Sequence, residues 1–276
     1  MRLPSAPGNK LDVSQMSTID YSCASSGYVT IVFRDQEYGK VRINCGTHQQ
    51  DFSILGDNTP TVIPLCYGDG DYTIGVYRHI SGSSYQLVNR PALHVTVKLV
   101  CPVVTWLYPN TYCNYTFDSL CVKKADGLCK GRNGDMAKIS MIYRWICANV
   151  RYDNETAVKV VKGEVKGFWL PDPDTVMRTC TGICWEYASL FAAMLRSQDI
   201  PCKICVGKTA NTPQLHAWVE VYSLEKGILD GINIRADGWE PFDITFMDTD
   251  AYNGDKPPSL IAYVNKDENY IVDYYG

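Results

Sequence analysis

Gly182-Ile-Cys-Trp-Glu-Tyr-Ala-Ser-Leu-Phe-Ala-Ala-Met-Leu-Arg-Ser197 is the stretch on which the fold turns. Ala188, Phe191, Ala192 and Leu195 recur at helical intervals, so the segment reads as a helix that opens around Thr181-Gly-Ile-Cys184 and runs to Ser197. Thr179 or Thr181 is the expected N-cap, and Gly182 permits a tight turn or a close substrate approach. Cys184 then lies in the first turn, where unpaired amides and the helix dipole favour negative charge. The same amides are placed to hold a developing oxyanion. An isolated cysteine at a helix start is more often a small packed residue. Cys180, one turn earlier, has no comparable argument.

The partners come from further along the chain. Of four histidines, His48, His79 and His94 fall in the first hundred residues, within or beside strand-like runs and at no metal-ligand spacing. They read as structural or surface residues. His216 begins the alternating run His-Ala-Trp-Val-Glu-Val-Tyr222. Ala217, Val219 and Val221 form its natural core face, and His216 projects from the other. Trp239-Glu-Pro-Phe-Asp-Ile-Thr-Phe246 follows and carries Asp243. A thiol nucleophile needs a base, and the base needs a third group to orient it. Cys184, His216 and Asp243 occur in that usable order, and the joint occurrence is what raises them above three ordinary packed residues.

Working outward, residues 1–18 read as an unstructured lead-in or linker. Residues 19–100 carry β-branched and aromatic runs, Tyr28–Phe33, Tyr72–Tyr77 and Leu93–Leu99, separated by turn clusters such as Gly68-Asp-Gly-Asp71. These predict a small β-sandwich module. The composition changes after Val100, and residues 101–276 are taken as the catalytic domain. A short helix begins near Asp118, and a stronger one over Asp135–Val150 repeats Ile139, Ile142, Tyr143, Ile146 and Val150. Arg151-Tyr-Asp153 then leads into about 25 residues of little periodicity, including Gly167-Phe-Trp-Leu-Pro-Asp-Pro-Asp174. Such a connection reads as a functional loop or lid.

At 276 residues the chain has room for two domains, and 46% hydrophobic with 20% charged residues is globular composition. A net charge of −4 without a Lys/Arg stripe argues against nucleic-acid binding. No apolar run has the length of a membrane span. The polar start has no signal-peptide core, so the protein is either cytoplasmic or extracellular, at the cell surface, behind a targeting segment outside this sequence. Assigning one of twelve cysteines to catalysis leaves eleven, which cannot all pair within one chain. Cys202 and Cys205 form a C-x-x-C in a strand-like run, where residues three apart face opposite ways, so buried thiols are expected there and not zinc. No cofactor or metal is expected, and the oligomeric state is open.

Gly182–Ser197, Ile200-Pro201, His216–Tyr222 and Trp239–Phe246 together resemble the transglutaminase-like superfamily of papain-like cysteine enzymes, in its bacterial peptidase-like branch. The resemblance covers roughly residues 105–250. The front module is similar to β domains joined to such enzymes in Gram-positive surface proteins. The resemblance implies an α+β fold, with a Cys-bearing helix packed on an antiparallel sheet that carries His216 and Asp243. It also implies a Cys184-His216-Asp243 triad acting on protein or peptide amide bonds through a thioester. Two positions depart from the family: Ile244 replaces a frequent proline after the aspartate, and Asp199 replaces the glycine usual before Ile-Pro. Tyr152 or Trp185 is a candidate for a further donor or wall. The rival reading is a non-catalytic cell-envelope binding or scaffold protein that retains the domain.

Overall fold

The computed structural model describes residues 1–165, 169–210, 212–247 and 258–276, which divide into two compact units. Residues 3–111 form the first, and residues 112–276 with Met1 and Arg2 form the second.

Alternation of apolar residues builds the first unit. β1 (Leu11–Val13), β2 (Ser17–Asp20), β3 (Tyr28–Cys45), β4 (His48–Asp57), β5 (Thr61–Pro64), β6 (Gly70–Ser81), β7 (Ser84–Leu87) and β8 (Leu93–Val97) make one antiparallel system. β3 pairs with β2 and β5 through its first residues and with β4 and β6 from Gly39 to Cys45, so one long strand joins both halves. Val29, Ile31, Phe33, Val41, Ile43, Phe52, Ile54, Ile74 and Val76 are buried at alternate positions. The expected lead-in differs: Leu11–Val13 and Ser17–Asp20 pair as a hairpin, with β2 continuing onto β3. Ile19, fully buried, anchors it.

In the second unit, α1 (Leu120–Cys129) and α2 (Asp135–Asn149) precede the two-residue strand β9 (Arg151–Tyr152). α2 buries Ile139, Ile142, Tyr143 and Ile146, the predicted stripe. The stretch expected to be irregular instead contains two helices, α3 (Asn154–Val161) and α4 (Pro173–Thr179). Local capping explains both. Asp153 accepts from the Thr156 amide at 2.9 Å, and Asp172 accepts from the amides of Asp174 and Thr175 with Pro173 at the first helical position. Gly167 and Phe168 lie outside the described residues.

β10 (Thr181–Gly182) pairs in parallel with β9, and α5 (Cys184–Ser197) follows directly. From Tyr187 to Ser197 every residue of α5 is buried, which fits a helix apolar on most of its circumference. Its support is a four-stranded antiparallel sheet of β11 (Cys202–Thr209), β12 (Thr212–Ser223), β15 (Gly238–Phe242) and β16 (Tyr270–Tyr275), in the order β15-β12-β11-β16. Between them lie the hairpin β13 (Gly227–Leu229) and β14 (Ile232–Ile234) and the helix α6 (Pro258–Val264). Ala217, Val219 and Val221 are buried as expected, and Phe191 of α5 meets Phe242 of β15 at 5.9 Å between ring centroids. Arg196 is also fully buried, donating to the Cys202 and Gly276 carbonyl oxygens, and thereby ties the end of α5 to both β11 and the chain end. The architecture is α+β, an antiparallel β region followed by a helical and sheet core.

Candidate active site

Pairing of Thr181 and Gly182 with Arg151 and Tyr152 keeps the chain extended up to Ile183. The N-cap is therefore Ile183 and not Thr179 or Thr181, and helix geometry begins at Cys184 itself. Ile183 has no acceptor side chain. The carboxylate of Glu186, three residues on, reaches back to the Ile183 amide at 3.0 Å and supplies half of a capping box. Burial pushes the Glu186 carboxyl upward. Gly182 is needed for this packing, since a Cβ there would come within 2.6 Å of the Glu186 Cβ. Cys184 is only part-buried, and its backbone N–H is one of the helix's first four free donors.

That N–H donates to the Tyr152 hydroxyl. Burial, and then the charge of Cys184, raise the Tyr152 phenol to about 12. The sequence reading placed Tyr152 or Trp185 here, and Tyr152 is the one whose oxygen meets the Cys184 amide. Trp185 packs edge-on to Tyr112 at 5.4 Å, with its indole nitrogen buried.

His216 starts its alternate run on β12 opposite Gly207 of β11, on a face that is itself covered at His216 and Trp218, and Val219 opposite Phe242 sets the register with β15. Asp243 comes one residue after β15 ends. The imidazole Nε2 lies 2.7 Å from Asp243 Oδ2, with His216 7% and Asp243 1% exposed. The turn after Asp243 holds the carboxylate: the Phe246 amide donates to Oδ1 at 3.1 Å and the Met247 amide to the Asp243 carbonyl at 3.0 Å. This local hydrogen bonding fixes Asp243 without the proline that Ile244 replaces.

Burial alone would lower the His216 pKa. The charge and hydrogen bond of Asp243, reinforced by a hydrogen bond and charge from Cys184, outweigh it and raise His216 to about 10. With Nε2 given to Asp243, Nδ1 is the ring nitrogen left for the sulfur. The structure thus brings Cys184, His216 and Asp243 together within one unit.

Further neighbours come from inside the quoted motifs and from outside them. Phe246 stacks on the imidazole at 4.8 Å and 12°, with Trp218 near-parallel at 6.3 Å on the same run. Tyr270 and Tyr274 arrive from β16. Burial, then the charges of Asp273 and Cys184, push the Tyr274 phenol up to about 12. The spacing of β16 from the motifs gives no sequence signal, although Phe246 lies in the quoted Trp239–Phe246 run. Asp199 adopts a left-handed φ of 61° at the end of α5, the conformation for which glycine is the usual choice. Among the described residues no group of three metal-ligating side chains forms a candidate metal site, and no helix is long and apolar enough to cross a membrane.

Comparison with known proteins gives similarities of family, sequence and structure. Residues 122–244 match the family model of the transglutaminase-like superfamily. A UPF0252 protein of Methanocaldococcus jannaschii is 29% identical over 79 residues, 29% of this chain and 22% of that protein. Two solved structures are similar: a TGase at 19% identity, covering 45% of this chain and 29% of its own, with a TM-score of 0.34, and the periplasmic domain of TgpA from Pseudomonas aeruginosa at 12%, covering 95% and 81%, with a TM-score of 0.39. The chain thus spans about a quarter of the length of the first relative and of the TGase. Residues 122–244 are what the chain shares with the transglutaminase-like superfamily.

Proposed function

We propose that the protein catalyses cysteine-dependent acyl transfer on the amide carbonyls of proteins or peptides, with water as the default acceptor. One observation carries the reading: a single imidazole, 2.7 Å from a buried carboxylate on one nitrogen, shares a hydrogen bond and charge with a part-exposed cysteine at a helix start.

In this reading the Cys184 thiolate attacks the carbonyl carbon, forming the C–S bond while the carbonyl electron pair moves onto oxygen. The oxyanion takes the place of the present Tyr152–Cys184 contact, accepting from the Cys184 N–H and the Tyr152 O–H. Collapse of the intermediate breaks the C–N bond, and His216 gives its proton to the departing amine. Water then attacks the thioester as His216 takes a proton from it, and the thiolate leaves. Asp243 keeps its charge throughout, fixing the ring's orientation and favouring its protonated form. An amine in place of water would make the same site a cross-linking enzyme.

The test is chemical. Iodoacetamide at mildly acidic pH should label Cys184 ahead of the other cysteines, and His216→Ala should remove that preference. Cys184→Ala should abolish turnover across a panel of casein and glutamine peptides. Equal labelling of several thiols in both proteins, with turnover surviving Cys184→Ala, would sink the reading.

A further inference from the structure

Asp243 has capacity beyond the contacts already described. Its Oδ2 meets the imidazole and its Oδ1 takes the Phe246 amide, whereas an ionised carboxylate offers about four acceptor sites. A donor stands ready on β16. The Tyr270 ring packs 5.0 Å from Trp218 and 6.2 Å from Tyr263, and its hydroxyl is buried with no formed hydrogen bond among the described residues. Burial, then the negative charge of Asp243, the charge of Tyr263 and a side-chain hydrogen bond with Asp243 push this phenol well above its ordinary range, so the hydroxyl stands within reach of that carboxylate without the alignment of a fully formed bond. A phenylalanine would fill the same aromatic cluster, and a buried hydroxyl without an acceptor is costly. Among the described residues, the carboxylate acting on it is the one that orients His216.

We propose that Tyr270 is a positioning residue, whose O–H closes onto the Asp243 carboxylate and holds it aligned with the His216 ring. The proposal rests on the acyl-transfer reading of this site. Among the described residues, the groups that face Asp243 are His216 from β12, the Phe246 amide, Tyr270 from β16, and Tyr152 from β9, on whose neutral phenol the Asp243 charge acts. Tyr263 of α6 faces Tyr270 in turn. Removing the Tyr270 donor frees the carboxylate to turn from the ring, so the imidazolium is held less firmly beside the sulfur and Cys184 labelling is lost at a higher pH on the acid side.

The experiment compares full-length wild type, Tyr270→Phe and His216→Ala. Iodoacetamide labelling of Cys184 is followed across about pH 4–10, steady-state hydrolysis of p-nitrophenyl acetate is measured, and thermal midpoints are recorded. Tyr270→Phe should keep its thermal midpoint close to wild type, lower kcat about tenfold with KM unchanged, and move the acid limb of Cys184 labelling upward by roughly half a unit or more. An unmoved acid limb overturns the proposal, whether kcat is retained or falls with the thermal midpoint. Wild type whose Cys184 labelling is indifferent to His216→Ala is a separate result, which removes the acyl-transfer reading itself.

Discussion

Asp243 is the residue on which the candidate site's electrostatics depend. Its carboxylate raises His216 to about 10 against a desolvation that would lower it, so Asp243→Asn should bring the His216 titration well below that value, read by NMR of the ring protons. Turnover should fall by roughly 10²–10⁴-fold in the same variant, because the ring loses both its anchor and its compensating charge. The sign of the stability effect follows. His216 binds its proton more tightly folded than unfolded, so its contribution is fully present below about pH 6.5 and is lost as pH rises towards about 10. Thermal midpoints of wild type and His216→Gln should therefore converge on the alkaline side, and a gap that widens there would contradict the assignment. Tyr152→Phe removes a donor beside the Cys184 amide and should lower kcat by about 10–10²-fold with little change in KM, measured on an activated ester.

At the scale of elements, Gly207 shows how tightly β16 is drawn against β11. A Cβ there would overlap the Ile271 carbonyl oxygen, and the register shifts between Val206 and Gly207. Gly207→Ala should cost about 1–3 kcal/mol in denaturant unfolding and also reduce Cys184 labelling, since Tyr270 and Tyr274 ride on the displaced strand. Arg196→Met fills similar volume but takes the Arg196 donor from the Cys202 carbonyl and leaves the Gly276 oxygen with the Ile204 amide, and should cost about 1–3 kcal/mol. These elements also show what could be read in advance. α2, α5 and β12 were legible because their periodicities lie within a short window, and the Cys184, His216 and Asp243 positions came with them. α3 and α4 were missed although Asp153-x-x-Thr156 and Asp172-Pro173 are capping signals, because both helices are shorter than a reliable periodic window. The β16 tyrosines were not legible at all. Their approach to Asp243 and Cys184 is set by a sheet register that joins residues more than 25 positions apart in sequence, and no local pattern encodes it.

For the molecule as a whole, twelve cysteines sort by environment. Burial raises Cys113 to about 11 and pushes Cys121, Cys202 and Cys205 up as well, so these core thiols should stay unlabelled in the native state. Cys180 is exposed and should label in the native state, giving an internal standard for Cys184 in peptide mapping. Every candidate site residue lies between positions 112 and 276, so a chain of those residues should retain His216-dependent labelling of Cys184, and its loss would place a missing contribution outside that unit. The near-parallel arrangement of Trp218 and His216 has an optical consequence. A protonated imidazole quenches a neighbouring indole, so the emission of this tryptophan should brighten as the ring gives up its proton. The protein thereby carries an intrinsic fluorophore that reports the charge state of its own base, with no label attached.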